Sequence, residues 1–328
     1  MEHSAFSAKF KLSHSPLSNY EFSILKSEEA TQRIIKESRL YCICHRPILS
    51  FDNLTLDHES GYANFDIVQD CTGHKISCSF PLKQEITTVN ESADLEIRAG
   101  SNNPTWNQTE PPLSGIHGIQ IFNDTDKTFL LWLSPDKFIH HYYNHLIEAT
   151  IIGDYRPLTS FDILYVGKAT DQDVWDRLGT HKTLQEILSV LRPVGNTIPT
   201  HEICLLLFEV TSKWEFNIYD SQSDPYVIGE HLANPMLPTH NTVSMDAEKA
   251  LVTLLNPSFN TVKFKKYPFS TDGLHKFDYN GFAFQFLEDI SLQSEKGSIF
   301  CSSNENECDL ISIVDNKEVE IISLKNSS

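Results

Sequence analysis

The amino-acid sequence predicts an α+β fold, and three observations carry that expectation. Short β-prone segments, alternating or continuously apolar, occur in every third of the chain. Helical patterns come with start and stop signals: Ser134-Pro135 opens one, and Pro257 stops another. From about residue 150 the order becomes strand, strand, helix, strand, helix, strand.

The N-terminal stretch 1–112 is expected to be a β-rich or mixed α/β domain. Ser27 is a candidate N-cap for a short helix, with Glu28 and Glu29 in its first turn and Ala30, Ile34 and Ile35 at helical spacing. LYCICHRPILSF then reads as a strand. ANFDIVQD and KISCSFPL read as a hairpin with Gly73 in the turn. GSNNPTWNQTEPP, rich in Gly, Asn and Pro, marks a loop or boundary at 100–112. Residues 113–149 supply a connecting strand, FLLWL, and a helix, SPDKFIHHYYNHLIEAT.

Within 150–267, IIGDYRP and FDILYVG are expected as neighbouring strands joined by a short turn. DVWDRLGTHKTLQEILSVL is helical with a break near Gly179, and EICLLLFEV suits a central strand. Residues 211–244 read as an insertion of turns and short pieces. MDAEKALVTLLNP is a helix whose apolar face is Ala247, Leu251, Leu254 and Leu255. The last stretch, 268–328, alternates weakly and reads as a small acidic β-rich appendage.

With 328 residues, 40% hydrophobic and 11% aromatic, the chain can bury a sizeable core and is expected to fold as two or three domains. No apolar run reaches the roughly 20 residues that span a bilayer, and the opening MEHSAFSAKF lacks an export pattern, so no membrane association and a cytoplasmic location are expected. Seven cysteines fit free thiols in a reducing compartment. The net charge is −18, divided as −7 over 1–149, −4 over 150–267 and −7 over 268–328. Such acidity argues against loose binding to duplex DNA, whose affinity rests on phosphate neutralisation, and points to targeting by a protein partner or a special nucleic-acid structure.

Phosphodiester chemistry needs positive charge for the developing pentavalent phosphorus, a group that orients or deprotonates water, and a carboxylate for a divalent cation. Residues 153–260 hold candidates for each. Tyr155 and Tyr165 lie ten apart on the two expected strands, and Gly167 leaves backbone exposed beside Lys168. Arg177 and His181 are four apart, on one helix face. Glu248 falls in the first turn of the later helix, and Asn260 follows just beyond Pro257.

Gly153-x-Tyr155, then Tyr165-Val166-Gly167-Lys168-Ala169, Arg177 with His181, Glu248 and Pro257-x-x-Asn260 together resemble the GIY-YIG endonuclease superfamily. YVGKA and the NPxFN ending are similar to the amino-terminal incision domain of the bacterial excision-repair nuclease. The resemblance covers about 150–267. It implies a small nuclease core, a three-stranded antiparallel sheet flanked by helices, with one Mg²⁺ or Mn²⁺ ion. Carried over by position, it makes Glu248 the sole protein ligand of the metal, in keeping with the one or two carboxylates that magnesium takes. It makes Tyr155 the general base, places Tyr165 and Lys168 on phosphate oxygens or water, and puts Arg177 and His181 on the scissile phosphate. Asn260 would brace the site. The first motif departs from the family's pattern in carrying Asp154 at its middle position, and His181 and Glu248 lie 67 positions apart.

Three further groupings have two readings each. Cys42, Cys44, His45, Cys71, His74 and Cys78 could furnish a zinc site or be core thiols. His141, His145 and Glu148 could hold a metal on one helix face or be satisfied at a surface. Lys263, Lys265 and Lys266 form a basic run that is either a solvated edge or a contact to nucleic-acid backbone. The expected function is a metal-dependent endonuclease acting on nucleic acid, DNA rather than RNA, in repair, restriction or defence against foreign DNA. The alternatives are a catalytically silent binding module whose acidic flanks dock onto a basic protein, and an RNA-cleaving nuclease.

Overall fold

The computed structural model describes residues 3–25, 28–57, 59–86, 95–180, 182–191, 200–219, 221–233, 237–270, 272–277, 279–315 and 317–324. In chain order the elements begin with β1 (His3–Leu12), β2 (Leu17–Ser18), α1 (Asn19–Leu25), α2 (Glu29–Ile35), β3 (Leu40–Pro47), β4 (Leu49–Asp57), β5 (Tyr62–Gln69), β6 (His74–Phe80) and α3 (Leu82–Ile86). Next come β7 (Leu95–Gly100), β8 (Gly118–Asn123), β9 (Phe129–Leu133), α4 (Pro135–Tyr143), β10 (Thr150–Ile152), a 3-10 turn at Arg156–Thr159, β11 (Ser160–Lys168), α5 (Val174–Gly179) and α6 (Lys182–Val190). The remainder is β12 (His201–Ile218), α7 (Pro225–Ala233), α8 (His240–Leu255), a 3-10 turn at Leu274–Phe277, β13 (Gly281–Phe286), β14 (Ser291–Ser294), β15 (Gly297–Phe300), β16 (Leu310–Val314) and β17 (Val319–Ile322).

The chain divides into two units. The first comprises Met1–His45, Phe161–Leu191 and Ile203–Ser328, and the second Arg46–Ser160 and Arg192–Glu202. The first unit is built on a ten-stranded mixed sheet in the order β15-β14-β11-β3-β12-β1-β13-β16-β17, with β2 paired to β12. This overturns the expected three-stranded antiparallel core with separate flanking domains. Strands from both ends of the chain and from its middle share one hydrogen-bonded sheet.

The cause is visible in β1. Phe6, Ala8, Phe10 and Leu12 are buried at every second position, while Ser7, Lys9 and Lys11 alternate with them, the period of a half-buried strand. β1 pairs antiparallel with β12 and parallel with β13, so Phe10 lies between Phe284, Phe286 and the rest of the core. β13 and β16 are therefore integral strands, not part of an appendage. β12 also runs on through Thr211–Ile218, where an insertion of turns was expected, because β1 offers it a partner along that whole length. α8 covers part of the sheet. Thr239 caps it by accepting from the Thr242 N–H, and it starts seven residues before Ala247, so Glu248 sits at mid-helix and not in the first turn. Val243, Ala247, Leu251 and Leu255 enter the core, and Asn256 in a left-handed conformation ends the helix before Pro257.

The second unit has a four-stranded sheet, β10-β6-β5-β4, and a three-stranded one, β7-β8-β9. The expected β5–β6 hairpin is present with Gly73 at φ +69°. Phe65 contacts Phe51 and Phe138 edge-on at 5.0 Å, and Phe80 contacts Phe138 at 5.7 Å. Arg46, 1% exposed, is held by Asp136, by Glu202 at 2.9 Å and by the Leu158 carbonyl at 3.0 Å. β10 pairs with β6, whereas β11 pairs with β3, so the two strands expected to be neighbours belong to different sheets. α4 ends at Tyr143 with Asn144 as its cap, and His145 has φ +57°, so the His141–His145–Glu148 helical face does not form.

Candidate active site

Six polar residues meet around the C-terminal half of β11. That strand pairs antiparallel with β3, with Gly167 opposite Tyr41 and Val166 opposite Cys42. An irregularity between Ile163 and Tyr165 changes the register just before the site. Tyr41 and Tyr165 lie with ring centroids 6.1 Å apart. Gly167 makes this possible: a Cβ there would stand 2.6 Å from Tyr165 Cε1 and from Tyr41 Cζ and Oη, well inside contact distance.

Arg177 reaches the two phenols from α5. Asp173 caps that helix by accepting from the Asp176 N–H, and Trp175 stacks on Phe22 at 4.8 Å and donates to the Gln32 carbonyl. These contacts tie α5 to α1 and α2 and set where Arg177 points. Burial raises the Tyr41 phenol, the neighbouring Tyr165 raises it further, and Arg177 opposes both. Tyr165 is raised by burial and by the charge of Glu248, again against Arg177. The guanidinium is thus the group that favours a phenolate at either position.

Glu248 projects from the middle of α8. Its Oε2 is buried without a hydrogen-bond partner and lies 3.5 Å from Lys168 Nζ. Burial raises its carboxyl, while Lys168, Lys249 and Arg177 counteract. Asn260, 6% exposed, clamps the YVG strand: its Oδ1 accepts from the Val166 N–H at 2.9 Å and its Nδ2 donates to the Val166 carbonyl at 2.8 Å. The adjacent Phe259 N–H donates to the Leu164 carbonyl at 3.0 Å. Asn241, in the first turn of α8, donates to the Thr170 carbonyl at 3.2 Å and ties the helix to the loop after β11.

Of the residues singled out from sequence, Tyr165, Lys168, Arg177, Glu248 and Asn260 converge. Tyr155 is not among them. It belongs to the second unit, just ahead of the 3-10 turn, where it packs against Tyr142 at 6.1 Å and Tyr143 at 6.4 Å. Gly153, at φ +116°, is in a bend rather than a strand. His181 lies outside the described residues. Lys263 donates to the Pro257 carbonyl, while Lys265 and Lys266 are exposed. Cys42 and Cys44 pack in the core of the first unit and Cys78 in that of the second, and all seven cysteines are free.

Tyr41 is the residue that sequence reasoning missed. Its signal is faint: one tyrosine in the apolar strand LYCI, 124 positions from Tyr165. Residues 48–159, most of the second unit, intervene between β3 and β11. A ten-residue spacing therefore selected Tyr155.

A metal ion fits this site in one respect that can be tested on the geometry. A buried carboxylate oxygen without a hydrogen-bond donor is a ligand in waiting, and a hard oxygen suits magnesium or manganese, which keep most of their waters. Among the described residues no group of three or more His, Cys, Asp or Glu side chains forms a multidentate site. Among them, too, no helix is long and apolar enough to cross a membrane. Comparison with protein-family models, with curated proteins and with solved structures finds no match to the chain.

Proposed function

We infer that the chain is a metal-dependent endonuclease that hydrolyses phosphodiester bonds in nucleic acid, with DNA the favoured substrate, and that its chemistry is of the GIY-YIG kind. The observation that carries this reading is the meeting of two tyrosines, an arginine, a lysine and a buried glutamate around one strand end. The three-stranded core that the resemblance implied is no part of it.

In this reading Tyr41 takes the role expected of Tyr155. Its phenol orients the attacking water; burial and Tyr165 hold it protonated against the charge of Arg177, so it would accept the water's proton only as the phenolate that further positive charge in the site favours. Arg177 also faces the phosphate, where a planar fork holds two oxygens and offsets the charge that develops on them. Tyr165 and Lys168 hold further phosphate oxygens or water. Glu248 would hold one Mg²⁺ or Mn²⁺ ion, which supplies Lewis-acid stabilisation of the leaving oxygen. Asn260 keeps Val166, and with it the Tyr165–Lys168 strand end, in place. Lys265 and Lys266 offer exposed charge for backbone contacts.

A protein partner for targeting is favoured by a separate observation. Trp214, Phe216 and Ile218 stand 55%, 57% and 60% exposed in a row on β12, beside a groove of about 640 Å³. Such a patch is a common mark of an interaction surface.

The test is cleavage of labelled single-stranded, duplex and branched DNA and of RNA, with Mg²⁺, Mn²⁺ or chelator. Metal-dependent cutting by the native chain, lost in Glu248→Gln, is the expected result. Cutting of RNA alone would change the substrate class. No cutting on any substrate, with binding retained, would favour the binding module.

A further inference from the structure

Glu248 carries a problem that the hydrolytic scheme alone does not resolve. A carboxylate taken out of water needs a counter-charge or hydrogen-bond donors. Glu248 is 8% exposed and Oε2 has no donor. Its ion pair is with Lys168, at 3.5 Å, too long for a good hydrogen bond.

The other cations nearby are committed. Lys249 Nζ donates to Ser270 Oγ at 2.7 Å and to Asp272 Oδ1 at 2.8 Å. Arg177 is engaged by Tyr41 and Tyr165. Lys168, by contrast, has a side chain 30% exposed and is loosely held, on a flexible stem that can swing to solvent. A divalent ion on Oε2 and an ammonium at this distance would repel each other strongly in a partly desolvated site.

We propose that Lys168 is the resident counter-ion of Glu248, and that a divalent metal ion displaces it, releasing the ammonium towards substrate phosphate. The proposal rests on the reading of Glu248 as the metal-bearing carboxylate. It assigns Lys168 two successive partners: the carboxylate before the metal arrives and a phosphate oxygen afterwards. The exchange keeps Glu248 paired in both states, and it leaves Lys168 free only when the metal is in place to share the phosphate.

The experiment is a Mn²⁺ binding isotherm without nucleic acid, followed by the paramagnetic resonance of the free ion, on the full chain and on Lys168→Met and Glu248→Gln. Removing Lys168 deletes both the competing pair and the repulsion in the metal-bound state. Lys168→Met is therefore expected to bind Mn²⁺ about tenfold more tightly at the Glu248-dependent site. Equal or weaker binding by Lys168→Met, with binding still lost in Glu248→Gln, would overturn the counter-ion role and leave the metal on Glu248. No binding that depends on Glu248 in any form would remove the metal reading itself. Circular dichroism checks folding, and Lys168→Gln repeats the comparison should the methionine variant not fold.

Discussion

The Tyr41 ring lies over Gly167, its partner across β3 and β11, so closely that a Cβ at Gly167 would stand 2.6 Å from the phenol oxygen. The glycine is there to let two tyrosines close over one strand end. Gly167→Ala should push Tyr41 and Tyr165 off their positions, costing about 1–3 kcal/mol of stability and lowering cleavage. A thermal melt combined with a cleavage assay checks both, and an unchanged melt with full activity would sink this account of Gly167.

Exchanging the roles of two tyrosines is directly measurable. Tyr41→Phe keeps the ring and loses the hydroxyl, and kcat should fall about 100-fold or more if the phenol handles the proton. Tyr155→Phe preserves the packing on Tyr142 and Tyr143 and should leave kcat unchanged. The reverse result would return the role to Tyr155.

Asp246 gives the first unit a pH dependence of known sign. Burial pushes its carboxyl from an ordinary 3.8 up to about 6, against the opposing charge of Lys249. The folded chain therefore holds this proton more tightly than the unfolded chain, and stability falls as the pH rises from about 4 through 6. Asp246→Asn keeps an acceptor for the Leu274 N–H, which donates to Oδ2 at 2.6 Å in the native chain. The variant's stability should gain on the native chain by about 2 kcal/mol between pH 4 and 7. Urea unfolding at the two pH values measures this, and a constant difference would refute it.

Arg46 is the cation shared by two buried carboxylates in the second unit, Asp136 and Glu202. Arg46→Met leaves both without their cation and should cost about 3–5 kcal/mol. Removing both carboxylate charges with Asp136→Asn and Glu202→Gln in the same chain should recover much of the loss. A stability unchanged by Arg46→Met would show that the pair is not held as described.

Most of the site's polar residues were legible because their signals are local. Asp173 ahead of VWDRLG caps α5, NPSFN ends α8, and YVGK identifies β11 by its run of β-prone residues ending in glycine. The alternation in FSAKFKL, which forms β1, is equally local. Tyr41 had no such help. Nothing in LYCI tells which distant strand it will face, since pairing between residues 126 positions apart leaves no periodicity.

By itself, then, the sequence determined the elements on which Tyr165, Lys168, Arg177, Glu248 and Asn260 sit, because capping, turn chemistry and side-chain period act within a few residues. Only the tertiary structure decided that Tyr41 completes the cluster, that Tyr155 packs in another unit, and that β1 and β13 join one sheet. Strand pairing is chosen by hydrogen bonds and burial between segments as distant in sequence as β1 and β13, and a local pattern specifies the strand without specifying its neighbour.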